Sequence, residues 1–195
     1  MTRLFSYVVT RDYGFAPNPF GGFCTVACCK PIVRRVAQVG DYIVGTATTT
    51  KFPPGQVVYV MKVSEILSFG QFWNDPRFEL KRPILNATRK RQYGDNIYCA
   101  NSQGEFVQVD SHHSFAGGAT NTFNLNKDTG VDRVLVSDCY TYWGGSGPVM
   151  PAELHYTLAR RGHRSTFTDD EVAAFVSWAE PLLGQGFCGR PFSWA

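Results

Sequence analysis

The stretch Gln56-Val-Val-Tyr-Val-Met-Lys-Val63 is rich in β-branched and aromatic residues, the composition that β-strands favour. A similar run, Asp41 to Thr46, precedes it, and the turn-forming segment Thr48 to Gly55 separates the two. Two such runs joined by a turn are typical of a β-hairpin. We therefore expect the middle of the chain to be mostly sheet.

Further strands and short helices are predicted on both sides of this hairpin. Pro31 suits the first turn of a helix that stops before Gly40, and Ser68 to Trp73 fits one helical turn that ends at Asp75-Pro76. The remaining strand-like runs are Leu4 to Val9, Phe23 to Cys29, Ile97 to Ala100, Glu105 to Val109 and Arg133 to Tyr142.

Helical signals gather near the C-terminal end. Pro151 to Leu158 fits a short helix, and Thr168-Asp-Asp-Glu171 is a capping box, whose first and last residues satisfy each other's backbone N–H groups. Strands early and helices late predict an α+β fold with a mixed or antiparallel sheet and helices at the C-terminal end. We expect a single domain over 1–195, with a strand-rich body at 1–150 and a helical segment at 151–195 packed on it. The apolar residues expected on one face of the last helix are Val172, Phe175, Val176 and Leu183.

Composition limits the class of protein. The 195 residues are 44% hydrophobic and 18% charged, which fits a packed globule rather than a disordered chain. The longest apolar run, around Val57 to Met61, is far shorter than the ~20 residues of a membrane span, and the opening residues do not form a secretory signal. Six cysteines without an export signal favour reduced thiols, so we expect a cytoplasmic protein without membrane contact.

The densest polar cluster is Asp110-Ser-His-His-Ser114, which follows a predicted strand and precedes a glycine-rich loop. Neighbouring side chains on an extended segment point to opposite faces, so only one of His112 and His113 is expected to face a pocket. Histidine titrates near neutral pH and Asp110 could orient it, which makes these residues candidates for acid/base catalysis. The alternative is a solvated loop whose Asp and Ser side chains make local turn hydrogen bonds.

Cysteines close to basic residues suggest a second kind of chemistry. Cys24 and Cys29 lie near Lys30 and Arg34 in the sequence, and a positive neighbourhood favours the thiolate that attacks electrophilic carbon. The competing interpretation treats these cysteines as small apolar residues of a buried strand. A zinc site built from Cys24, Cys28 and a histidine of the 110–114 cluster is less favoured, because ordinary zinc sites use tighter cysteine pairs. No cofactor is otherwise predicted.

The segment Arg77 to Arg91 carries six basic residues and one acidic residue, and it is predicted to be a surface loop. Aromatic residues flank it, including Trp73 and Tyr93. Basic charge beside stacking surfaces is how single-stranded or flipped bases are held, whereas a simple solvated loop is the other interpretation. P-loop, dinucleotide-binding, zincin and hydrolase-elbow motifs do not occur in the sequence.

Several motifs in combination resemble those of the nucleotide modification associated domain 2 family, a group of small proteins of bacteria and phages. The resemblance covers about residues 3 to 150 and implies a role connected with modified bases in DNA, without a catalytic mechanism. The motifs that carry it are Phe15-Ala-Pro-Asn-Pro-Phe20, Gly40-Asp41 with Val44-Gly45, Phe72-Trp-Asn-Asp-Pro-Arg-Phe78, Tyr93-Gly-Asp-Asn-Ile-Tyr98, Asp110-Ser-His-His-Ser114, and Ser137-Asp138 with Tyr142-Trp-Gly144.

The predicted central hairpin is also similar to strands of PUA-like domains, the group that includes the base-reading ASCH and EVE modules. That resemblance implies a small β-barrel as one form of the sheet. It also implies that Phe15, Asn18 and Trp73 stack on a base or contact its edge.

These observations favour an enzyme that acts on a modified base or nucleotide by acid/base or thiol chemistry. The alternatives are a non-catalytic reader of a modified or flipped base in DNA, and a subunit that contacts other DNA-modification proteins. The expected catalytic residues are Asp110, His112, His113, Cys24 and Cys29. The expected base- or nucleotide-binding residues are Phe15, Asn18, Lys30, Arg34, Trp73, Arg77, Asp95, Asn96, Ser111 and Trp143, and the expected DNA phosphate ligands are Arg89, Lys90 and Arg91.

Overall fold

The computed structural model describes residues 2–160 and 162–194, so that Arg161 and Ala195 of the predicted helical segment lie outside the described residues. The chain folds into two compact units. Unit 1 comprises 1–13, 37–64 and 137–195, and unit 2 comprises 14–36 and 65–136. The single domain over 1–195 stays a prediction.

Unit 1 is built on a mixed, six-stranded sheet with the order β10-β1-β3-β4-β9-β11. Strands β1 and β3 are parallel, β3 and β4 form the predicted antiparallel hairpin, and β9 pairs antiparallel with β4 and parallel with β11. Strands β10 and β11 are the outer strands, so the sheet is open within the described residues. The bounds are β1 (Leu4–Val9), β3 (Tyr42–Ala47), β4 (Val57–Lys62), β9 (Cys139–Tyr142), β10 (His163–Arg164) and β11 (Gly186–Phe187).

Glycine is required inside β3 because a side chain there would collide with the next strand. A Cβ at Gly45 would lie 2.4 Å from the Tyr59 ring and 2.9 Å from Val9. The Tyr59 ring therefore fills the space that Gly45 leaves, which holds β1, β3 and β4 together in the core.

The C-terminal helix α5 (Asp169–Ala179) covers this sheet. The predicted capping box is confirmed, since Thr168 Oγ1 accepts the Glu171 N–H and Glu171 accepts the Thr168 N–H in return. Phe175 is buried against Leu4 and Tyr42, and the other three apolar residues predicted for this face pack around the same cluster. The helix predicted over Pro151 to Leu158 is a 3-10 helix at Ala152–Thr157.

Unit 2 contains a three-stranded sheet with the order β2-β8-β5, a β6-β7 hairpin and four short helices. The described residues thus confirm the predicted α+β class with mixed and antiparallel sheets. The strands are β2 (Cys24–Val26), β5 (Glu65–Leu67), β6 (Tyr98–Ala100), β7 (Phe106–Gln108) and β8 (Val134–Ser137), and the helices are α1 (Pro31–Val36), α2 (Phe69–Asn74), α3 (Arg89–Gln92) and α4 (Thr122–Thr129).

Three predictions of local structure were wrong in detail. Arg133 to Tyr142 is two strands rather than one, because the Ser137 hydroxyl bonds the Cys139 backbone and interrupts the ladder. The predicted strand Phe23 to Cys29 ends at Val26. The predicted surface loop at 77–91 begins inside a 3-10 helix, Pro76–Lys81, which buries Phe78 and Lys81. Asp75 caps that helix and Pro76 suits its first turn.

Candidate active site

Unit 2 brings a thiol, an imidazole and a carboxylate into one chain of contacts. Cys29 Sγ lies 3.7 Å from His113 Nε2, and His113 Nδ1 lies 2.9 Å from Asp128 Oδ2. The imidazole thus faces the thiol with one nitrogen and the carboxylate with the other. This is the order of groups that activates a cysteine nucleophile: a base beside the sulfur and an acid that orients the base.

Cys29 occupies a strained turn between β2 and α1. Cys29 and Lys30 have φ angles of 61° and 43°, and they are the only non-glycine residues with positive φ in the described chain. Such a conformation costs about 1–3 kcal/mol per residue and is concentrated at functional sites. The Cys29 N–H donates to Asp128 Oδ1 at 2.8 Å, which holds the turn against the carboxylate.

Asp128 connects these groups from the last turn of α4. Its side chain is buried and also accepts a hydrogen bond from the Tyr98 hydroxyl, 2.9 Å from Oδ2. Burial raises the pKa of this carboxyl, but the hydrogen bond and charge of His113, together with the hydrogen bonds from the Cys29 N–H and the Tyr98 hydroxyl, outweigh burial, and the pKa is lowered overall. Asp128 is therefore ionised and carries the negative charge of the site.

The environment of His113 favours the imidazolium. Burial alone lowers the pKa of His113, but its hydrogen bonds to Asp128 and Cys29 prevail and raise the pKa to about 9. The His113 carbonyl accepts from Asn124 Nδ2 at 3.0 Å, and the Phe15 ring centroid lies 4.6 Å from the imidazole centroid. The ring is therefore fixed in position and keeps its proton at neutral pH.

Arg34 lies fully buried next to this triad and holds its backbone in place. Its guanidinium donates to four carbonyl oxygens, and its planar fork matches their arrangement. Burial lowers the pKa of Arg34, while Asp128 and the cysteines oppose that shift. All three nitrogens are engaged, so the structure gives Arg34 a positioning role in place of the predicted nucleotide contact. The acceptors are Cys29 O at 3.0 Å, Asp128 O at 2.6 Å, and Val131 O and Arg133 O, both at 2.7 Å.

The other predicted catalytic residues lie outside the triad. Asp110 is exposed and accepts from Ser114 Oγ at 2.8 Å, as the turn interpretation expected, whereas the carboxylate that contacts the His113 ring is Asp128. His112 is exposed, with its ring 5.2 Å from Phe15 and 5.2 Å from Tyr93. Cys24 is fully buried, and burial raises the pKa of its thiol. The geometry therefore favours His113 and Cys29 among the five.

Several predicted base-binding residues support the loops around the site instead of facing solvent. Asn18 is buried and donates to Tyr93 O at 2.9 Å. Asp95 is buried, accepts from Thr25 Oγ1 at 2.7 Å, and has its pKa raised to about 6 by burial. Asn96 donates to Phe72 O at 3.0 Å. The Ser111 hydroxyl accepts the His113 N–H at 3.4 Å.

Three predicted contacts are engaged elsewhere. The Arg82 guanidinium lies 4.3 Å from the Trp73 ring centroid. Arg77 bonds Asp75 at 2.6 Å and Glu65 at 3.0 Å. Trp143 belongs to the core of unit 1, whereas Cys29 lies in unit 2.

The predicted phosphate ligands form α3, which leads into Tyr93. Arg89 and Lys90 are exposed, and Arg91 Nη1 donates to Leu80 O at 3.0 Å. Because Tyr93 contacts His112, the basic helix lies within one residue of the aromatic group beside the triad.

Cys28, His113 and Asp128 also form a cluster whose potential metal-binding atoms lie within 4.8 Å of one another. Both Asp128 oxygens already accept hydrogen bonds from protein groups, and the Cys28 thiol lies 3.6 Å from Asp95 O. A zinc ion at this cluster would have to displace these partners, and the predicted zinc site stays a prediction.

Comparison with known proteins gives one result. The family described as nucleotide modification associated domain 2 matches residues 1–195. No curated protein and no solved structure matches the chain. In the described residues, the helices are all too short or too polar to cross a lipid bilayer.

Proposed function

The chain belongs to the nucleotide modification associated domain 2 family, and we propose that it is an enzyme that acts on a modified base or nucleotide through the Cys29 thiol. The family description connects it with nucleotide modification. The observation that carries the enzymatic proposal is the Cys29–His113–Asp128 arrangement, with its contacts of 3.7 and 2.9 Å. A reader of bases has no need of a thiol held in a strained turn against an imidazole.

The geometry supports a covalent mechanism in two steps. The imidazolium beside the sulfur favours the thiolate, whose electron pair forms a C–S bond with an electrophilic carbon of the substrate. The leaving group departs with the electron pair of the broken bond and takes the proton from His113 Nε2. A water or another acceptor, deprotonated by His113, then displaces Cys29 and restores the site. Asp128 keeps the His113 ring oriented throughout.

The product of the reaction provides the test. DNA and free nucleotides from cells with and without the gene are digested and their nucleosides compared by mass spectrometry. Cys29→Ala and His113→Ala are expected to abolish the change in nucleosides that the wild-type gene causes. Cys188→Ala, which removes an exposed free thiol, is the matched control and is expected to retain it. A Cys29→Ala variant with the wild-type nucleoside profile would overturn the thiol mechanism.

A non-catalytic reader of a modified base in DNA is the second candidate. The exposed His112 ring and the half-buried Tyr93 ring next to the basic helix α3 support it, because aromatic and basic surfaces hold unstacked bases. It predicts binding to modified DNA that weakens with salt and with neutralisation of Arg89, Lys90 and Arg91. Affinity for such DNA that does not change with salt would contradict it.

A further inference from the structure

One helix provides both the acid of the triad and an exposed surface beside it. Asn124 and Asp128, four residues apart on α4, contact His113 through its carbonyl and its imidazole. Phe123 and Lys127 each precede one of these residues, so they lie about 100° around the helix, on the adjacent face. The face that bears Phe123 and Lys127 is therefore the neighbour of the face that contacts the triad.

This face carries an aromatic ring that the fold does not cover. Phe123 is 73% exposed, the largest exposure of any large hydrophobic side chain in the described residues. Lys127 is exposed too, with its ammonium 5.8 Å from the Phe123 ring centroid. An open ring beside a cation is the arrangement on which proteins stack a base and bind its phosphate.

A second lysine, Lys30, adds positive charge between Lys127 and the Cys29 thiol. Lys30 directly follows Cys29 and is half-buried. Burial lowers the pKa of Lys30, and of the two charges nearby, Cys29 opposes that shift and Lys127 adds to it. Lys127 is therefore close enough to Lys30 for their positive charges to repel each other. A phosphate placed between them relieves this repulsion, because it offers each a charge-assisted hydrogen bond.

We propose that the substrate is a nucleotide that lies along this face of α4, with its base stacked on Phe123, its phosphate between Lys127 and Lys30, and its reacting group at Cys29. The axial rise from Phe123 to Lys127 is about 6 Å, which is comparable to the separation of a base from its own 5′-phosphate. The assignment of the reacting group to Cys29 rests on the proposed function, whereas the base and phosphate contacts stand on the surface alone.

The test measures binding by full-length wild-type protein and single-site variants. Every base has a π-face, so ordinary nucleotides serve as probes. The probes are the common deoxynucleosides, their 5′-monophosphates and single-stranded homo-oligonucleotides of about ten residues. Phe123→Ala is expected to weaken binding of all of them by about tenfold, and Phe123→Tyr to restore it. Lys127→Met is expected to weaken binding only of probes with a phosphate, while Lys51→Met, a charge-matched change in unit 1, has no effect.

Each result has a definite meaning. Similar affinity for monophosphates and oligonucleotides identifies a free nucleotide as the substrate, and affinity for oligonucleotides alone identifies single-stranded DNA. Wild-type affinity in both Phe123→Ala and Lys127→Met, or absence of binding to every probe, overturns the inference. These outcomes are independent of the nucleoside analysis of Cys29→Ala, so failure of the thiol mechanism and failure of this binding face can be told apart.

Discussion

Replacing Arg34 by methionine tests whether the buried guanidinium holds the site together. The change keeps a long apolar side chain but removes all four hydrogen bonds to backbone carbonyls. Val131 O and Asp128 O keep the N–H groups of Arg133 and Val131 as donors, so the main loss falls on Cys29 O and Arg133 O. A buried carbonyl without a donor costs about 1–3 kcal/mol, so these two cost about 2–6 kcal/mol. Removal of the buried cation returns part of its desolvation cost, and we therefore expect a net loss of about 2–4 kcal/mol in the free energy of unfolding.

The measurement is urea unfolding followed by circular dichroism. Arg35→Met is the matched control, because it removes an exposed arginine from the same helix and is expected to change stability by less than about 0.5 kcal/mol. If Arg34→Met unfolds outright, Arg34→Lys keeps the charge without the planar fork and should lose about half as much. An Arg34→Met protein within about 1 kcal/mol of wild type would refute the reasoning.

The same Arg34 variants also test whether Arg34 positions the Cys29 thiol. Arg34 bonds the carbonyls of both Cys29 and Asp128, so its loss should move the sulfur relative to His113. Alkylation of Cys29 by iodoacetamide, followed peptide by peptide in folded protein, should slow relative to the exposed Cys188 in the same molecule. An unchanged ratio of the two rates would show that Arg34 stabilises the fold without positioning the nucleophile.

Three further predictions follow from other contacts. Asp128→Asn should slow the alkylation of Cys29 at neutral pH far more than Asp110→Asn does, measured peptide by peptide in folded protein. Equal effects of the two changes would contradict the assignment of Asp128 as the residue that orients His113. The pKa of His113 rises from 6.5 to about 9 on folding, so its stabilisation is complete below pH 6.5 and is lost as the pH rises through 9. The difference in unfolding free energy between wild type and His113→Asn should fall by about 3 kcal/mol across that window, and a constant difference would contradict the assigned ion pair. Thr168→Ala should destabilise unit 1 by about 1 kcal/mol through loss of the capping box, with Thr166→Ala as the control in thermal unfolding.

The parts of the fold that sequence predicted correctly depend on local signals. The β3–β4 hairpin follows from β-branched runs on either side of a turn, and α5 follows from Thr168 and Glu171 at its start. Segments whose structure depends on contacts between residues distant in the sequence were predicted less well. Lys81 belongs to a basic stretch, yet it is buried with its ammonium bound to Asn18 Oδ1 at 2.7 Å and to Phe23 O at 2.9 Å. The sequence of that basic stretch does not show that these acceptors, which are distant in the sequence, lie within hydrogen-bonding distance of Lys81.

The same difference between local and long-range contacts decides which residues of the candidate site were predicted correctly. Cys29 was predicted because a thiol near cations is typical of a catalytic cysteine, and His113 because paired histidines next to an acid are typical of acid/base catalysis. Asp110 was predicted because it lies next to the histidines in sequence, but its partner is Ser114 in the same turn, and Asp128 was not among the predicted residues.

The position of Asp128 in its helix does indicate that its carboxylate needs a partner from elsewhere in the fold. An acid in the last turn of a helix faces the negative end of the helix dipole, so it is unfavourable there unless something else compensates it. Asp128 holds such a position in α4, and the compensation consists of the His113 imidazole, the Tyr98 hydroxyl and the Cys29 N–H. An acid at an unfavourable helix end, fifteen residues after a candidate histidine, is thus a better indicator of the orienting group than an acid beside that histidine. The reason is that a neighbouring acid can satisfy itself within its own turn, whereas an acid at a helix C-terminus needs a partner from elsewhere in the fold.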